Sequence, residues 1–365
     1  MISKRDEYWM RRALKLAEKG RGFTSPNPVV GACLVKKNRL ISEGFHAFFG
    51  GPHAEVEAIQ KAGKKARGAI LYVTFEPCST YGKTPPCTEA IKDAKIARVV
   101  IATIDPNPKH LGHGISILKR HGIRVAAGVL KKEAVAQNEA FSKWVQTKVP
   151  FVILKMAQSL DGKIASRTGE SRWISGPKAR NWVHKLRDSC DAILVGKNTL
   201  LKDNPRLTVR NGRVAKEPWR IILDEKGSSP LKSRVFHAQG STLLACSEIF
   251  FKSVLKKFSN TKVTILPLKS KNGRLDLNQL LRNLGSLGIT LLLVEGGGEV
   301  AASFLELGLV DKICWIVAPK IVGGRDVKTS VEGSGVASLA QAHIIKRNRI
   351  VPLGDDLLVE GYINS

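Results

Sequence analysis

His53-Ala54-Glu55, opening a helical pattern directly after Gly50-Gly51-Pro52, and Glu76-Pro77-Cys78-Ser79-Thr80-Tyr81-Gly82-Lys83-Thr84-Pro85-Pro86-Cys87, following a strand that ends near Phe75, decide the reading of the first half of this chain. One imidazole and two thiolates, from His53, Cys78 and Cys87, make three zinc ligands. The fourth tetrahedral position is left for water, which is the pattern of a catalytic zinc site and not of a closed structural one. Zinc lowers the pKa of such a water toward neutrality, and Glu55 is placed to move its proton without binding the metal.

Outward from these residues the chain alternates helical and strand-like patterns. Asp6 is expected to cap a helix whose apolar positions Trp9, Met10, Ala13, Leu14, Leu16 and Ala17 recur until Gly20 stops it. Ser25-Pro26-Asn27-Pro28 breaks the chain before two short strands, 29–35 and 40–45, joined by the polar turn 36–39. Helical patterns at 53–62, 87–95, 114–121 and 131–147 alternate with strand-like runs at 69–75, 97–103 and 123–127, which predicts a layered α/β domain. A fresh α/β series starts after Val149-Pro150, so the boundary is placed between 1–148 and 149–365. Its expected strands are 151–156, 191–195, 219–223, 241–246, 262–266, 290–294 and 312–318, with helices near 177–189, 276–287 and 299–307. No fixed-period repeat occurs, which excludes a solenoid.

Composition bounds the function classes. A chain of 365 residues suits two domains, and 43% hydrophobic with 25% charged residues excludes a disordered or collagen-like protein. No apolar run approaches the roughly 18 residues that span a bilayer, so no membrane is expected. The net charge of +28 favours nucleic acid, an anionic surface or phosphorylated small molecules as partners. The basic residues are spread without a long block, so a basic tail is absent. Six cysteines are too sparse for a disulfide-stapled domain, and four of them, Cys33, Cys190, Cys246 and Cys314, lie in apolar or strand-like sequence as buried thiols. The N-terminus has no apolar leader and carries acidic residues, from which a cytoplasmic location is expected.

H-x-E with P-C is also a signature of zinc-dependent nucleobase deaminases, in which the glutamate carries a proton to the leaving amine. Here eight residues separate the two cysteines, where the usual spacing is two. Pro26-Asn27-Pro28-Val29-Val30-Gly31, His53-Ala54-Glu55-Val56 and the Glu76 to Cys87 run, with this longer spacing, resemble the bifunctional riboflavin-biosynthesis deaminase/reductase family. The resemblance implies an N-terminal cytidine-deaminase-like three-layer domain that hydrolyses the 2-amino group of a diaminopyrimidinone ribosylamine phosphate. In that reading His53, Cys78 and Cys87 bind zinc and Glu55 is catalytic. Lys83, in the basic loop between the cysteines, is a candidate for contacting the substrate phosphate. His46, His110 and His113 are read as ordinary loop histidines on the surface.

In the second half neither G-x-G-x-x-G nor G-x-x-x-x-G-K-[ST] occurs in a strand-to-helix setting. Leu291 to Val294 does run into Glu295-Gly296-Gly297-Gly298 and a helical stretch, a turn that could offer backbone N–H groups to phosphate. That turn, with Lys155 to Lys163, Gly169 to Ile174 and Asp203 to Thr208, resembles the reductase half of the same family. The resemblance implies a dihydrofolate-reductase-like α/β domain in which NADPH delivers hydride to the ribosyl carbon. It implies cofactor contacts at Ala157, Trp173, Thr199, Asp203, Gly297, Gly298, Glu299, Val300, Ala301, Ala302 and Ser303, and substrate contacts at Ser171, Arg187, Leu207, Arg210 and Glu295. Arg187 and Arg210 suit phosphate, because a guanidinium offers a bidentate fork. A homo-oligomer is expected by analogy with the family. The alternative is a nucleic-acid-acting zinc deaminase with a basic binding surface, which accounts for the charge but leaves the second domain unused.

Overall fold

The computed structural model describes residues 3–210 and 217–363. The chain divides into two compact units, Met1–Lys148 and Val149–Ser365.

In the first unit the elements run α1 (Lys4–Ala17), β1 (Gly31–Lys36), β2 (Arg39–Phe45), α2 (Ala54–Ala62), β3 (Ile70–Phe75), α3 (Cys87–Asp93), β4 (Arg98–Thr103), α4 (His113–Arg120), β5 (Arg124–Ala127), α5 (Lys131–Gln137) and α6 (Glu139–Thr147). The five-stranded sheet has the order β2-β1-β3-β4-β5, with β3, β4 and β5 parallel and β1 antiparallel to both neighbours. Alternation of side chains along each strand serves two cores. Ala32, Leu34, Leu71, Val73, Val99 and Ile101 join Ala54, Ala58, Ile91 and Leu118 on one face. Cys33, Val35, Tyr72, Val100 and Ala102 join Trp9, Met10, Ala13, Leu16 and Ala134 on the other. Helices therefore cover both faces, the three-layer arrangement expected.

Two local readings are corrected. Ser3, not Asp6, caps α1; the Ser3 hydroxyl accepts the Asp6 N–H while the Asp6 carboxylate accepts the Ser3 N–H, a reciprocal capping box. Asp6 is instead a buried hub, accepting from the Tyr72 hydroxyl and from both Nη1 and Nη2 of Arg98. The single helix expected over 131–147 breaks at Asn138. There the side chain accepts the Val29 N–H at 2.9 Å and donates to the Val29 carbonyl at 3.0 Å, pairing with the Pro28-Val29 segment as a strand would.

The second unit contains β6 (Phe151–Ser159), α7 (Pro177–Asp188), β7 (Ala192–Gly196), α8 (Lys197–Asp203), β8 (Trp219–Leu223), α9 (Arg234–His237), β9 (Thr242–Ser247), α10 (Phe251–Lys257), β10 (Val263–Leu268), a small hairpin of β11 (Ser270–Lys271) and β12 (Arg274–Leu275), α11 (Leu277–Ser286), β13 (Leu291–Val294), α12 (Gly298–Glu306), β14 (Lys312–Ala318), β15 (Lys346–Leu353) and β16 (Asp356–Tyr362). Its nine-stranded sheet has the order β10-β9-β8-β7-β13-β6-β14-β16-β15. Along this order the strands β10, β9, β8, β7, β13, β6 and β14 pair in parallel, and only β16 and β15 run antiparallel at one edge. Such strands are buried on both sides and read as continuous apolar runs, as Ala192 to Gly196 and Leu292 to Val294 do. β13 lies at the centre, so the Glu295-Gly296-Gly297 turn leaves the sheet at its carboxyl edge, where open α/β sheets place ligands. The edge hairpin β15–β16 and helices α8 and α10 are not expected from the sequence. β15 is almost wholly exposed and rich in Lys and Arg, so it carries no alternating apolar signal.

Asn138→Ala would leave the buried Val29 N–H and carbonyl without partners, and should cost the first unit about 2 kcal/mol in urea unfolding. The Asp6 carboxyl sits below its ordinary value of 3.8; burial opposes this, and the Arg98 guanidinium, the Ser3 N–H and the Tyr72 hydroxyl outweigh it. A depressed carboxylate stabilises the fold above its unfolded pKa and loses that contribution as pH falls through the folded value. The stability gap between wild type and Asp6→Asn should therefore be full at neutral pH and close as pH falls below about 4.

Candidate active sites

In the first unit three segments deliver the metal donors to one point. His53 precedes the first residue of α2 and Glu55 is the second; Cys78 lies three residues beyond β3; Cys87 begins α3. The His53 Nδ1 lies 3.1 Å from Cys87 Sγ and 3.5 Å from Cys78 Sγ, and the three donor atoms all fall within 4.8 Å of one another. A tetrahedral zinc requires N···S separations of about 3.6 Å and S···S of about 3.8 Å, so the donor set fits the ion. Backbone bonds span the long interval between the cysteines: the Cys87 N–H donates to Cys78 Sγ at 3.2 Å and the Thr88 N–H to the Cys78 carbonyl at 3.2 Å. Cys78 is pulled well below an ordinary thiol by the hydrogen bond from Cys87, and His53 adds to the effect. Burial pushes the Glu55 carboxyl up to about 7 against the pull of His53, close to the ideal for proton transfer at neutral pH.

His46, expected at the surface, is buried beside this centre. Its Nδ1–H donates to the Pro52 carbonyl, its Nε2 accepts from the Asn27 side chain, and its ring meets His53 edge to face at 5.1 Å. Burial lowers its pKa and keeps it neutral. Its position follows from the pairing of β1 with β2, which no single motif displays. His110 is half-buried and His113 exposed, and neither joins the cluster of three donors. Lys83 is exposed on the loop between the cysteines, with its Nζ 4.0 Å over the Phe49 ring.

In the second unit Arg187, Arg210 and Glu295 lie within electrostatic reach of His184, and Ser171 pairs with Asp203. Glu295 follows β13, and its buried carboxylate accepts Arg187 Nε at 2.7 Å and Nη2 at 2.6 Å. Burial alone would raise this acid, but Arg187, Lys155 and His184 hold it at about 2. The Arg187 fork expected to meet phosphate is therefore engaged by Glu295, and Arg210 is left as the exposed guanidinium of the pair. Lys155 on β6 belongs to a motif of this half but has no role assigned by the sequence. Burial lowers its pKa and it lies within electrostatic reach of Glu295, Arg187 and Cys314.

The glycine turn feeds α12, whose N-cap Gly297 offers no side-chain hydrogen bond, leaving the first-turn N–H groups for a ligand. A Cβ on Gly296 would lie 2.5 Å from Val300 Cβ, so α12 can pack this closely on the turn only over glycine. The Thr199 hydroxyl oxygen lies 3.5 Å from the position a Cβ would take on Gly297, and Ala157 is on neighbouring β6. Ser171 donates its hydroxyl to Asp203 at 2.7 Å, and Arg172 donates to the Asp203 carbonyl. Trp173 is 60% exposed, with the Arg180 guanidinium 4.6 Å over its ring, and so is available as a stacking surface. Leu207 is buried in a left-handed conformation. Of the expected 297–303 stretch, Gly297 to Val300 form the helix entrance. Ala301 faces the core, Ala302 is buried, and the Ser303 hydroxyl bonds back to the Glu299 carbonyl.

Comparison with known proteins finds relatives for both halves. The family pattern for the cytidine and deoxycytidylate deaminase zinc-binding region matches residues 3–103, and that for the RibD C-terminal domain matches residues 150–359. Riboflavin biosynthesis protein RibD of Aquifex aeolicus is 41% identical over 359 residues, 98% of this chain and 99% of that protein. The RibD of Escherichia coli is 39% identical, over 96% of this chain and 98% of its own length. The structure of Acinetobacter baumannii RibD superposes with a TM-score of 0.91 at 35% identity, covering 99% of each chain. A diaminohydroxyphosphoribosylaminopyrimidine deaminase/5-amino-6-(5-phosphoribosylamino)uracil reductase from Thermotoga maritima gives 0.85 at 39% identity, over 98% of this chain and 99% of its own. With zinc donors converging in one unit, a glycine turn opening a helix in the other, and full-length relatives in the same order, the chain belongs to the RibD family of bifunctional riboflavin-biosynthesis enzymes, a zinc-dependent deaminase joined to an NADPH-dependent reductase.

Proposed function

We propose that the family's two reactions divide at the 148/149 boundary and are carried by the residues described above. Residues 1–148 hydrolyse the 2-amino group of 2,5-diamino-6-(5-phosphoribosylamino)pyrimidin-4-one, and residues 149–365 reduce the ribosyl group of 5-amino-6-(5-phosphoribosylamino)uracil to ribityl. The observation that carries the reading is the convergence of His53, Cys78 and Cys87 beside a buried Glu55. Zinc, when bound, lowers the pKa of water and supplies the nucleophile for hydrolysis. His53, Cys78 and Cys87 hold it; Glu55, buried beside them, takes up a proton on its carboxylate and returns it to the departing nitrogen. Lys83 meets the substrate phosphate from the exposed loop.

NADPH, when bound, supplies the hydride. The backbone N–H groups from Gly297 to Val300 receive its phosphates, Trp173 offers a stacking face, and Ala157, Thr199 and Asp203 line the same carboxyl edge. Ala301, Ala302 and Ser303 support the helix entrance. Ser171, Leu207, Arg210 and the Arg187–Glu295 pair orient the second substrate, with Arg210 supplying the phosphate fork. Among the described residues no helix is long and apolar enough to cross a membrane. Phosphorylated pyrimidines are the partners, with no nucleic acid and no membrane, in a cytoplasmic homo-oligomer. The family relationship and the anionic character of substrate and cofactor support this against a charge of +28.

Glu55→Gln should retain one zinc per chain and full NADPH oxidation with the deaminated compound, while ammonia release from the diaminopyrimidinone falls about 100- to 10,000-fold. Elemental analysis and the two assays on one preparation check this, and unchanged ammonia release would remove Glu55 from the reaction. Arg187→Met leaves the Glu295 carboxylate buried without its partner and should destabilise the second unit by about 3–5 kcal/mol. The double variant with Glu295→Leu should recover most of that loss in urea unfolding without recovering reduction.

A further inference from the structure

Glu76 lies between the last residue of β3 and the Pro77-Cys78 ligand segment, and its side chain is buried at 6% exposure. Its carboxylate accepts three backbone N–H groups, all from a stretch that begins 29 residues downstream. Oε2 takes those of Asp105 at 3.1 Å and Gly112 at 3.0 Å, and Oε1 takes that of Ile115 at 3.2 Å in the first turn of α4. One oxygen thus pinches together the two ends of the 105–112 loop while the other ties that loop to a helix N-terminus, where negative charge is favoured.

The loop is ordered internally as well. The Asn107 N–H donates to the Asp105 carboxylate at 2.8 Å, the Lys109 N–H to the Asn107 side chain at 3.1 Å, and the Leu111 N–H to the Asn107 carbonyl at 2.9 Å. From the opposite side, a Cβ on Gly114 would lie 2.1 Å from the Pro77 carbonyl oxygen, so α4 rests directly on the backbone beside Cys78. Asp105 lies within electrostatic reach of Cys78 and His110. The loop therefore stands against the Cys78 side of the zinc donors.

We propose that Glu76 is a positioning residue for deamination: its carboxylate clamps the 105–115 segment against the Pro77-Cys78 segment, and the clamped loop forms the wall on which the pyrimidine substrate seats. The inference rests on the assignment of the zinc site above. Only an acceptor-only group suits the position, because all three partners are donors. Glutamine has the same shape, but in either orientation its amide N–H₂ points at one or two of the backbone N–H groups.

The test is Glu76→Gln in the full-length zinc-loaded enzyme, with metal content, steady-state deamination, NADPH oxidation and amide hydrogen exchange measured on one preparation. The clamp predicts one zinc per chain, unaltered reduction, a KM for the diaminopyrimidinone substrate raised about tenfold with kcat within about threefold, and faster exchange at Asp105, Gly112 and Ile115. An unchanged KM overturns the proposal. So does loss of zinc from the variant, which would make Glu76 a support for the ligand segment alone; failure of the wild type to bind zinc would instead count against the site assignment. Should the variant not fold, exchange in the wild type decides: Asp105 and Gly112 amides protected like those of the strands support the clamp, and exchange at the rate of an open loop overturns it.

Discussion

A carboxylate buried at the end of a central strand must have its lone pairs occupied, and that constraint organises both halves of this enzyme. In the first unit Glu76, directly after β3, takes three backbone N–H groups and so ties the metal-ligand segment to α4. In the second, Glu295, directly after β13, takes the two-pronged edge of Arg187 and so ties the glycine turn to α7. Each acid is held in place because burial makes any unpaired state costly. Irregular segments leave each sheet at these points, yet they are held to the small tolerances that catalysis requires.

The same carboxyl-edge geometry explains why two unrelated chemistries occupy equivalent places. Parallel strands end together, and the segments that follow them converge above the sheet with helix N-termini facing the ligand. In the first unit α2 and α3 begin with His53 just before and Cys87 at the first position, so one imidazole and one thiolate are delivered by helix starts and the second thiolate by a strand end. In the second unit α12 begins with glycine and offers backbone N–H groups instead. Side-chain donors suit a soft metal and backbone donors suit phosphate.

Much of this is legible in the sequence because it is local. His53, Glu55, Cys78 and Cys87 stand in short contexts whose residue types and spacing suit a metal and a proton carrier, and the strands of the first sheet and those from β6 to β14 of the second announce themselves as short apolar runs. What escapes the sequence is non-local. Asn138 looks like part of a continuous helix until its side chain pairs with Val29, 109 residues earlier. His46 looks like a loop residue until the sheet brings it against His53. Arg187 looks like a free phosphate fork until Glu295 occupies it from 108 residues away. Strand β15 escapes for another reason: an exposed edge strand has no buried face and therefore no period-two signal.

On the proposed division, zinc chemistry in residues 1–148 and hydride chemistry in residues 149–365 are separate and consecutive. The decisive experiment follows ammonia release and NADPH oxidation together, for zinc-loaded and zinc-stripped enzyme, starting from the diaminopyrimidinone and again from its deaminated product. Ammonia should precede NADPH oxidation in the loaded enzyme, and the stripped enzyme should oxidise NADPH only with the deaminated compound. NADPH oxidation from the diaminopyrimidinone without ammonia release, or loss of reduction of the deaminated compound on stripping zinc, would contradict the division.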